Sequence, residues 1–329
     1  MKKLIRFVII VLGIFLGAIA AAAAWWSLGF SDEVDGTHTF EPSSMPADLD
    51  KYLADSERDI PNLRPNVEKR IVWNGAAGDK TEWAVVYLHG YSATSEEVRP
   101  VPDMVASSLG ANLYFTRLKG HGRDGDAMAE PTGADWIADT AEAMEIGRRI
   151  GEKVIVLGTS TGGTLAAIAA ADEGLQQNLS GVVLISPNFK IFNPMAGVLT
   201  LPGVRWWGPV VAGETRSFEP RNDMQAQYWT TSYPTVSTVS LAHLVRFTSK
   251  LDYEAISTPA LFMFSDDDQV VVPETTRGVA SRWGGDTTVV TVEMGAGDDE
   301  SSHVIAGDIV SPGQTDRAVE TILEWVKDL

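Results

Sequence analysis

From residue 68 onward, short apolar runs alternate along the chain with longer segments of helical periodicity. Strands are predicted at 70–73, 83–88, 113–116, 154–157, 182–185, 261–264 and 288–292. Helices are predicted at 96–109, 134–150, 161–172, 274–283 and 315–327. In 134–150, for example, Trp136, Thr140 and Ala143 begin a series with spacings of four and three, as one helix face requires. The alternation predicts an α/β protein with a mostly parallel sheet and helices on both faces.

Residues 188–257 interrupt this alternation, because they contain no run that clearly belongs to the sheet. The interval is far too long for an ordinary connection, which predicts a cap inserted between core segments 68–187 and 258–329. A long connection above the strand ends lies over the functional site of a parallel sheet. We therefore predict that Phe192 and Trp206 bind substrate, although apolar residues of a cap can equally serve only to hold it to the core.

The N-terminal residues 1–26 have the charge pattern of an export segment. Lys2, Lys3 and Arg6 precede an uncharged run at 7–26, which at about 1.5 Å per residue spans roughly 30 Å, the thickness of a bilayer core. Both an uncleaved membrane anchor and a cleaved signal peptide fit this pattern. In either case the basic N-terminus is expected to stay in the cytoplasm and everything after Trp26 to lie outside it.

Residues 27–67 are polar and contain several prolines, which predicts a loosely packed linker with one short helix at 48–57.

Composition excludes several classes of partner and chemistry. The chain of 329 residues has 44 acidic and 26 basic side chains and a formal net charge of -18, so nucleic acid is not an expected partner. The chain has no cysteine, which excludes disulfides, thiolate metal sites and a cysteine nucleophile. The sequence indicates no metal site.

Ser160 lies between the predicted strand 154–157 and the predicted helix 161–172, in a G-x-S-x-G pattern from Gly158 to Gly162. Small residues two before and two after a serine let the strand and the helix approach closely around a sharp turn. The turn exposes the hydroxyl above the sheet, in front of the positive end of the helix. This context predicts a nucleophile, which needs a general base and a carboxylate.

His303, after the last predicted strand, is the best candidate for the base. Of the five histidines, two fall in the predicted linker and cap, and two others follow strands and are expected to shape loops. These four are His38, His243, His89 and His121. Three aspartates follow the strand 261–264, and the residue pattern leaves open which of them is the carboxylate. They are Asp266, Asp267 and Asp268.

Several motifs together resemble the α/β-hydrolase family, specifically its carboxylesterase and monoacylglycerol-lipase-like branch. They occur in family order over 70–329: Leu88-His89-Gly90-Tyr91, Gly120-His121-Gly122, Asp135-Trp136 to Asp139, the glycines around Ser160, the Asp268 turn and His303. The resemblance implies that Ser160 is the nucleophile, His303 the general base and Asp268 its orienting partner. It also implies an oxyanion hole made by the N–H groups of Tyr91 and Thr161. Ser265 departs from the family, in which glycine often precedes the acid.

The resemblance implies a serine esterase for lipophilic short-to-medium acyl esters, with an acyl-enzyme intermediate and no cofactor. The expected partners are a small ester or lipid substrate and, through the N-terminal segment, a membrane. An aminopeptidase, thioesterase or acyltransferase remains an alternative, as does a non-catalytic binding domain of the same fold, because fold does not determine function.

Overall fold

The computed structural model of the protein describes residues 2–27 and 33–329; Met1 and residues 28–32, at the start of the predicted linker, lie outside the described residues. The strands are β1 (Arg70–Val72), β2 (Thr81–Leu88), β3 (Asn112–Phe115), β4 (Gly151–Thr159), β5 (Leu179–Ile185), β6 (Thr215–Ser217), β7 (Ser232–Pro234), β8 (Ala260–Phe264) and β9 (Thr287–Thr291). The helices are α1 (Lys2–Ser27), α2 (Leu49–Glu57), α3 (Val101–Leu109), α4 (Gly133–Ile150), α5 (Thr161–Ala171), α6 (Val204–Ala212), α7 (Asp223–Tyr228), α8 (Ser237–Thr248), α9 (Pro273–Ala280) and α10 (Thr315–Val326).

Seven strands form one sheet in the order β1-β3-β2-β4-β5-β8-β9. Only the pairing of β1 with β3 in this sheet is antiparallel, so the predicted mostly parallel sheet is confirmed. Both faces are buried: Val86 and Leu88 of β2 face the cluster that contains α4 and α5, and Val85 and Tyr87 face the cluster that contains α3 and α10. Such two-sided burial explains why the strands have continuous apolar runs rather than alternating patterns.

Two predicted helix boundaries are wrong. The helix predicted at 96–109 begins only at Val101, because Arg99 precedes Pro100 and residues before proline are disfavoured in the helical conformation. The helix predicted at 274–283 begins at Pro273 and ends at Ala280. The segment 96–100 is therefore a loop, and this loop lies beside the candidate site described below.

The described part of the segment before β1, residues 33–69, is anchored to the core by buried side chains, so the expectation of a loose linker is wrong. Val34, Met45, Leu49 and Leu53 are buried in the same apolar cluster as α4. At the end of α2, Glu57 forms a buried ion pair with Arg117, whose Nε lies 2.7 Å from Glu57 Oε2. This segment acts as part of the core, although its sequence is polar.

We expect Glu57→Ala to lower the free energy of unfolding by about 3–5 kcal/mol, because it leaves the Arg117 guanidinium buried without its partner. Urea denaturation measures this change. Asp55→Ala is the matched control, since Asp55 is on the same helix but pairs with exposed Lys51 and Arg58. Equal stabilities of the two variants would contradict the role assigned to the Glu57–Arg117 pair.

Helix α1 is apolar and long enough to cross a membrane. Its 20-residue stretch Ile5–Ala24 has a mean hydropathy of 2.8 and no burial in the structure. A signal sequence near an N-terminus has the same properties, so the helix is compatible with both an anchor and a signal.

Residues 188–257 contain α6, α7, α8 and a separate two-stranded sheet of β6 and β7. Helix α8 packs against α4 and α5 and buries Leu241 and Leu244 in the core cluster. Helix α6, in contrast, leaves Val210 85% exposed. At its start the segment is joined to the chain after β8 by an antiparallel bridge between Ile191 and Val271.

Candidate active site

Ser160 occupies the turn between β4 and α5 with φ 51° and ψ -112°, a conformation that serine rarely adopts. Backbone hydrogen bonds hold it there. Its N–H donates to the carbonyl of Ile185 at 2.9 Å, and its own carbonyl accepts from the N–H groups of Thr164 and Asn188 at 3.0 and 3.1 Å. The surrounding strands and helix therefore hold the serine in this strained conformation.

The glycines of the motif are required by close backbone contacts. A Cβ atom on Gly162 would lie 1.9 Å from the carbonyl oxygen of Leu88. A Cβ atom on Gly158 would lie 2.3 Å from the carbonyl oxygen of Gly162. Any side chain at these positions would push the strand and the helix apart, as the motif predicts.

Asp268 is the aspartate that contacts His303: its Oδ2 lies 2.8 Å from the imidazole Nδ1. Its Oδ1 accepts hydrogen bonds from the N–H groups of Val270 and Val271 at 2.8 and 2.9 Å. Both oxygens thus have partners, and the side chain is buried. Of the other two candidates, Asp266 pairs at the surface with Arg277, and Asp267 is exposed.

His303 is buried, and the pKa of its imidazole is raised. Burial alone would lower its pKa, but the charge and hydrogen bond of Asp268 outweigh burial and raise the pKa above its usual value. Asp299 contributes to this increase, and it also accepts the backbone N–H groups of His303 and Val304 at 3.0 Å each. Asp268 therefore orients the ring, and Asp299 fixes the backbone that carries it.

Ser160, Asp268 and His303 follow β4, β8 and β9, and the carboxyl ends of parallel strands meet at one edge of a sheet. In the described part of the chain, Ser160 Oγ makes no direct hydrogen bond to the His303 ring. Such bonds are often long in a ligand-free enzyme and tighten when substrate binds. In the structure, Asp268 contacts His303 directly, and Ser160 lies at the same edge of the sheet.

The N–H groups of Tyr91 and Thr161 donate to no other described residue. Thr161 is the first residue of α5, where a helix leaves its N–H groups unpaired. Tyr91 follows β2, and its hydroxyl donates to Ser237 Oγ of α8 at 2.6 Å, which ties its side chain to the insertion. Both N–H groups are therefore left available as hydrogen-bond donors.

His89 and His121 are buried with their ring centroids 5.1 Å apart, and each ring contacts the backbone of a loop. The Leu118 N–H donates to His89 Nε2 at 3.1 Å, so the other ring nitrogen, Nδ1, donates to the Gly90 carbonyl at 2.9 Å. Burial lowers the pKa of His89 to about 4 and that of His121 well below its usual value. Both rings are neutral near pH 7. His38 lies in the segment before β1 and His243 in α8.

Phe192 and Trp206, predicted to bind substrate, are 52% and 54% exposed. The Phe192 N–H donates to the Val270 carbonyl at 2.9 Å, so Phe192 lies beside the loop that holds Asp268. Trp206 lies on α6. Contact of either side chain with a substrate remains a prediction.

Glu97, which the residue pattern does not single out, is only 2% exposed and accepts the Gly90 N–H at 2.6 Å. Two adjacent glutamates at the start of a predicted helix indicate a solvated turn, so no local signal distinguishes this residue.

The fold and this site define the α/β-hydrolase class of serine hydrolases. Residues 79–296, about two thirds of the chain, match the family model of the serine aminopeptidases S33 (Hydrolase_4), and the chain belongs to this family. It is therefore a serine hydrolase. The match includes Ser160 and Asp268 and ends before His303.

A thermostable monoacylglycerol lipase from Bacillus sp. (strain H-257) is 29% identical over 189 residues, which cover 57% of this chain and 72% of that protein. A solved structure of a metagenome-derived lipolytic enzyme has a TM-score of 0.67 at 20% identity and covers 81% of this chain and 100% of its own. A monoacylglycerol lipase from Paleococcus ferrophilus has a TM-score of 0.56 at 17% identity, over 78% of this chain and 97% of its own. The structural likenesses establish the fold.

Proposed function

We propose that the protein is a carboxylic-ester hydrolase of the lipase and esterase type, with Ser160, His303 and Asp268 as its triad. The observation that carries this proposal is the 2.8 Å contact of Asp268 with His303, at the sheet edge where a strained serine is presented. The lipase relative supports ester hydrolysis.

In the proposed reaction, Ser160 Oγ attacks the ester carbonyl while its proton passes to His303 Nε2. Asp268 holds the proton on Nδ1 and stabilises the imidazolium that forms. The N–H groups of Tyr91 and Thr161 bind the oxyanion. His303 then gives the proton to the departing alcohol, which leaves an acyl-enzyme. A water molecule, deprotonated by His303, attacks this ester, and collapse of the second tetrahedral intermediate releases the acid and restores the Ser160 hydroxyl.

The family name favours one alternative, an aminopeptidase, in which the same triad cleaves an amide. A panel of p-nitrophenyl esters and aminoacyl amides separates the two functions, and a fluorophosphonate probe tests the nucleophile directly. We expect the wild-type protein to be labelled and to prefer esters. A folded protein that is never labelled would refute the serine mechanism, and a preference for aminoacyl amides would identify the aminopeptidase.

We propose that residues 188–257 form the cap and that Phe192 and Trp206 line a pocket for a lipophilic short-to-medium acyl chain. Phe192→Ala and Trp206→Ala are expected to reduce the ratio of kcat/KM for octanoate over acetate esters by about tenfold, since each removes buried contact with the longer chain. Val210→Ala, on the exposed side of α6, is the control. Unchanged preference in both variants would contradict the pocket assignment.

We also propose that α1 anchors the protein in a membrane with the hydrolase domain outside the cytoplasm. Expression of the full chain, followed by fractionation and N-terminal sequencing, is expected to give a membrane-bound protein that retains α1. A soluble exported form that begins near residue 25 would show cleavage of a signal peptide. A soluble cytoplasmic full-length protein would contradict export.

A further inference from the structure

Glu97 is a buried carboxylate beside the candidate site that the proposed reaction does not use. Its Oε2 accepts the Gly90 N–H at 2.6 Å and the Tyr87 hydroxyl at 3.1 Å. Gly90 directly precedes Tyr91, so the first of these bonds holds the loop whose next N–H is a proposed oxyanion donor. The approach is close, because a Cβ atom on Gly90 would lie 2.5 Å from Glu97 Oε1.

Glu97 is also connected to the serine segment through its carboxylate and to the histidine segment through its backbone. The Tyr87 hydroxyl also contacts Thr159 Oγ1 at 3.2 Å, and Thr159 directly precedes Ser160. On the histidine side, a Cβ atom on Gly307 would lie 2.9 Å from the Glu97 carbonyl oxygen, so the loop after His303 packs directly against this segment. Glu97 therefore lies where the three catalytic segments meet.

Two titratable side chains in the described part of the chain act on the Glu97 carboxylate. Tyr87 faces it from β2, and His303 interacts with it electrostatically from the loop after β9. On the same segment, Glu96 pairs with two arginines instead: its Oε1 lies 3.0 Å from Arg70 Nη2 and 2.9 Å from Arg99 Nη1. Burial raises the pKa of Glu97 to about 7, although the Gly90 hydrogen bond and the His303 charge oppose this increase. In return, the Glu97 charge helps to raise the pKa of His303.

We propose that Glu97 is a positioning residue that holds the oxyanion loop through the Gly90 N–H and favours the protonated form of His303 by its charge. The assignment rests on the proposed function. Its side-chain oxygen places the Tyr91 N–H for the oxyanion by accepting the Gly90 N–H, and its charge stabilises the imidazolium formed when Ser160 attacks. Both effects occur in the transition state, so they are expected in kcat rather than in KM.

Glu97→Gln tests the charge, because the amide oxygen still accepts from Gly90 but the negative charge is gone. Loss of the charge lowers the pKa of His303, which must be deprotonated to act, so the acid limb of kcat/KM is expected to move to lower pH by about 0.5 or more. Glu96→Gln is the matched control, with the same change one residue away and no contact with Gly90; its profile is expected to match the wild type.

Glu97→Ala tests the positioning, and we expect kcat for p-nitrophenyl butyrate to fall by about tenfold or more with KM nearly unchanged. A Glu97→Gln profile that superimposes on the wild type would overturn the proposal, and this variant decides alone if Glu97→Ala does not fold. Fluorophosphonate labelling of the wild type distinguishes failure of the proposed function from failure of the role proposed for Glu97. Failure to label refutes the proposed function, whereas a labelled wild type with unaffected Glu97 variants refutes only the role of Glu97.

Discussion

Ser160→Ala is expected to lower kcat for p-nitrophenyl butyrate by about a millionfold, the loss seen when a serine hydrolase loses its nucleophile. The structure supplies the reason: Ser160 is held at φ 51° by hydrogen bonds from its backbone to Ile185, Thr164 and Asn188. Alanine keeps the same backbone groups and removes only the hydroxyl. Steady-state kinetics measure the loss, and circular dichroism verifies the fold.

Ser186→Ala is a matched control for this variant. Ser186 is also buried, also has a positive φ, of 43°, and follows the neighbouring strand β5. Its Oγ has no hydrogen-bond partner among the described residues, so its removal breaks no contact. We expect kcat to change less than about tenfold. Comparable losses in both variants would indicate a structural effect and contradict the assignment of Ser160 as nucleophile.

Asp268→Asn is expected to lower kcat by about four decades with little loss of stability, as in the serine-protease triad. The asparagine carbonyl can still accept the N–H groups of Val270 and Val271, which at present bond to Oδ1. Its NH₂ group then faces His303 Nδ1 and forces the ring proton onto Nε2. A ring protonated at Nε2 cannot accept the Ser160 proton. Kinetics combined with thermal unfolding check both parts of this prediction.

Asp266→Asn and Asp267→Asn are the matched controls, with the same chemical change on the same turn. Asp266 forms an exposed pair with Arg277, and Asp267 is exposed, so each variant is expected to cost less than about tenfold. If the largest loss of kcat occurs at Asp266 or Asp267, that residue and not Asp268 is the acid of the triad.

Much of the fold could be predicted because burial determines the pattern of apolar residues along the chain. The strands of a two-sided sheet are continuous apolar runs, as in Val85 to Leu88, and a glycine-flanked serine between such a run and a helix marks the turn at Ser160. The residue pattern left three aspartates as candidates for the acid. Asp268 differs from the other two because its side chain is buried and bonds to His303, and both properties arise only in the folded loop.

Long-range polar contacts could not be predicted, because no local pattern encodes them. Glu57 pairs with Arg117, which lies 60 residues further along the chain. This contact helps to hold the polar segment before β1 on the core. Glu97 is similar: its partner Gly90 is only seven residues away, but its burial depends on the His303 loop on its other side. Charged side chains in tight contacts of this kind look like ordinary surface residues in a sequence.

The bridge between Ile191 and Val271 affects how this enzyme can be recombined with its relatives. Residues 190–192 pair with the loop that follows Asp268, through the Phe192 N–H to Val270 and the Val272 N–H to the Lys190 carbonyl. A chimaera that exchanges the insertion at residue 188 would replace one side of this pairing and leave the acid loop without its partner. A junction placed after Phe192 retains both sides, so the remainder of the insertion, including Trp206, can be exchanged between family members without disturbing the carboxylate.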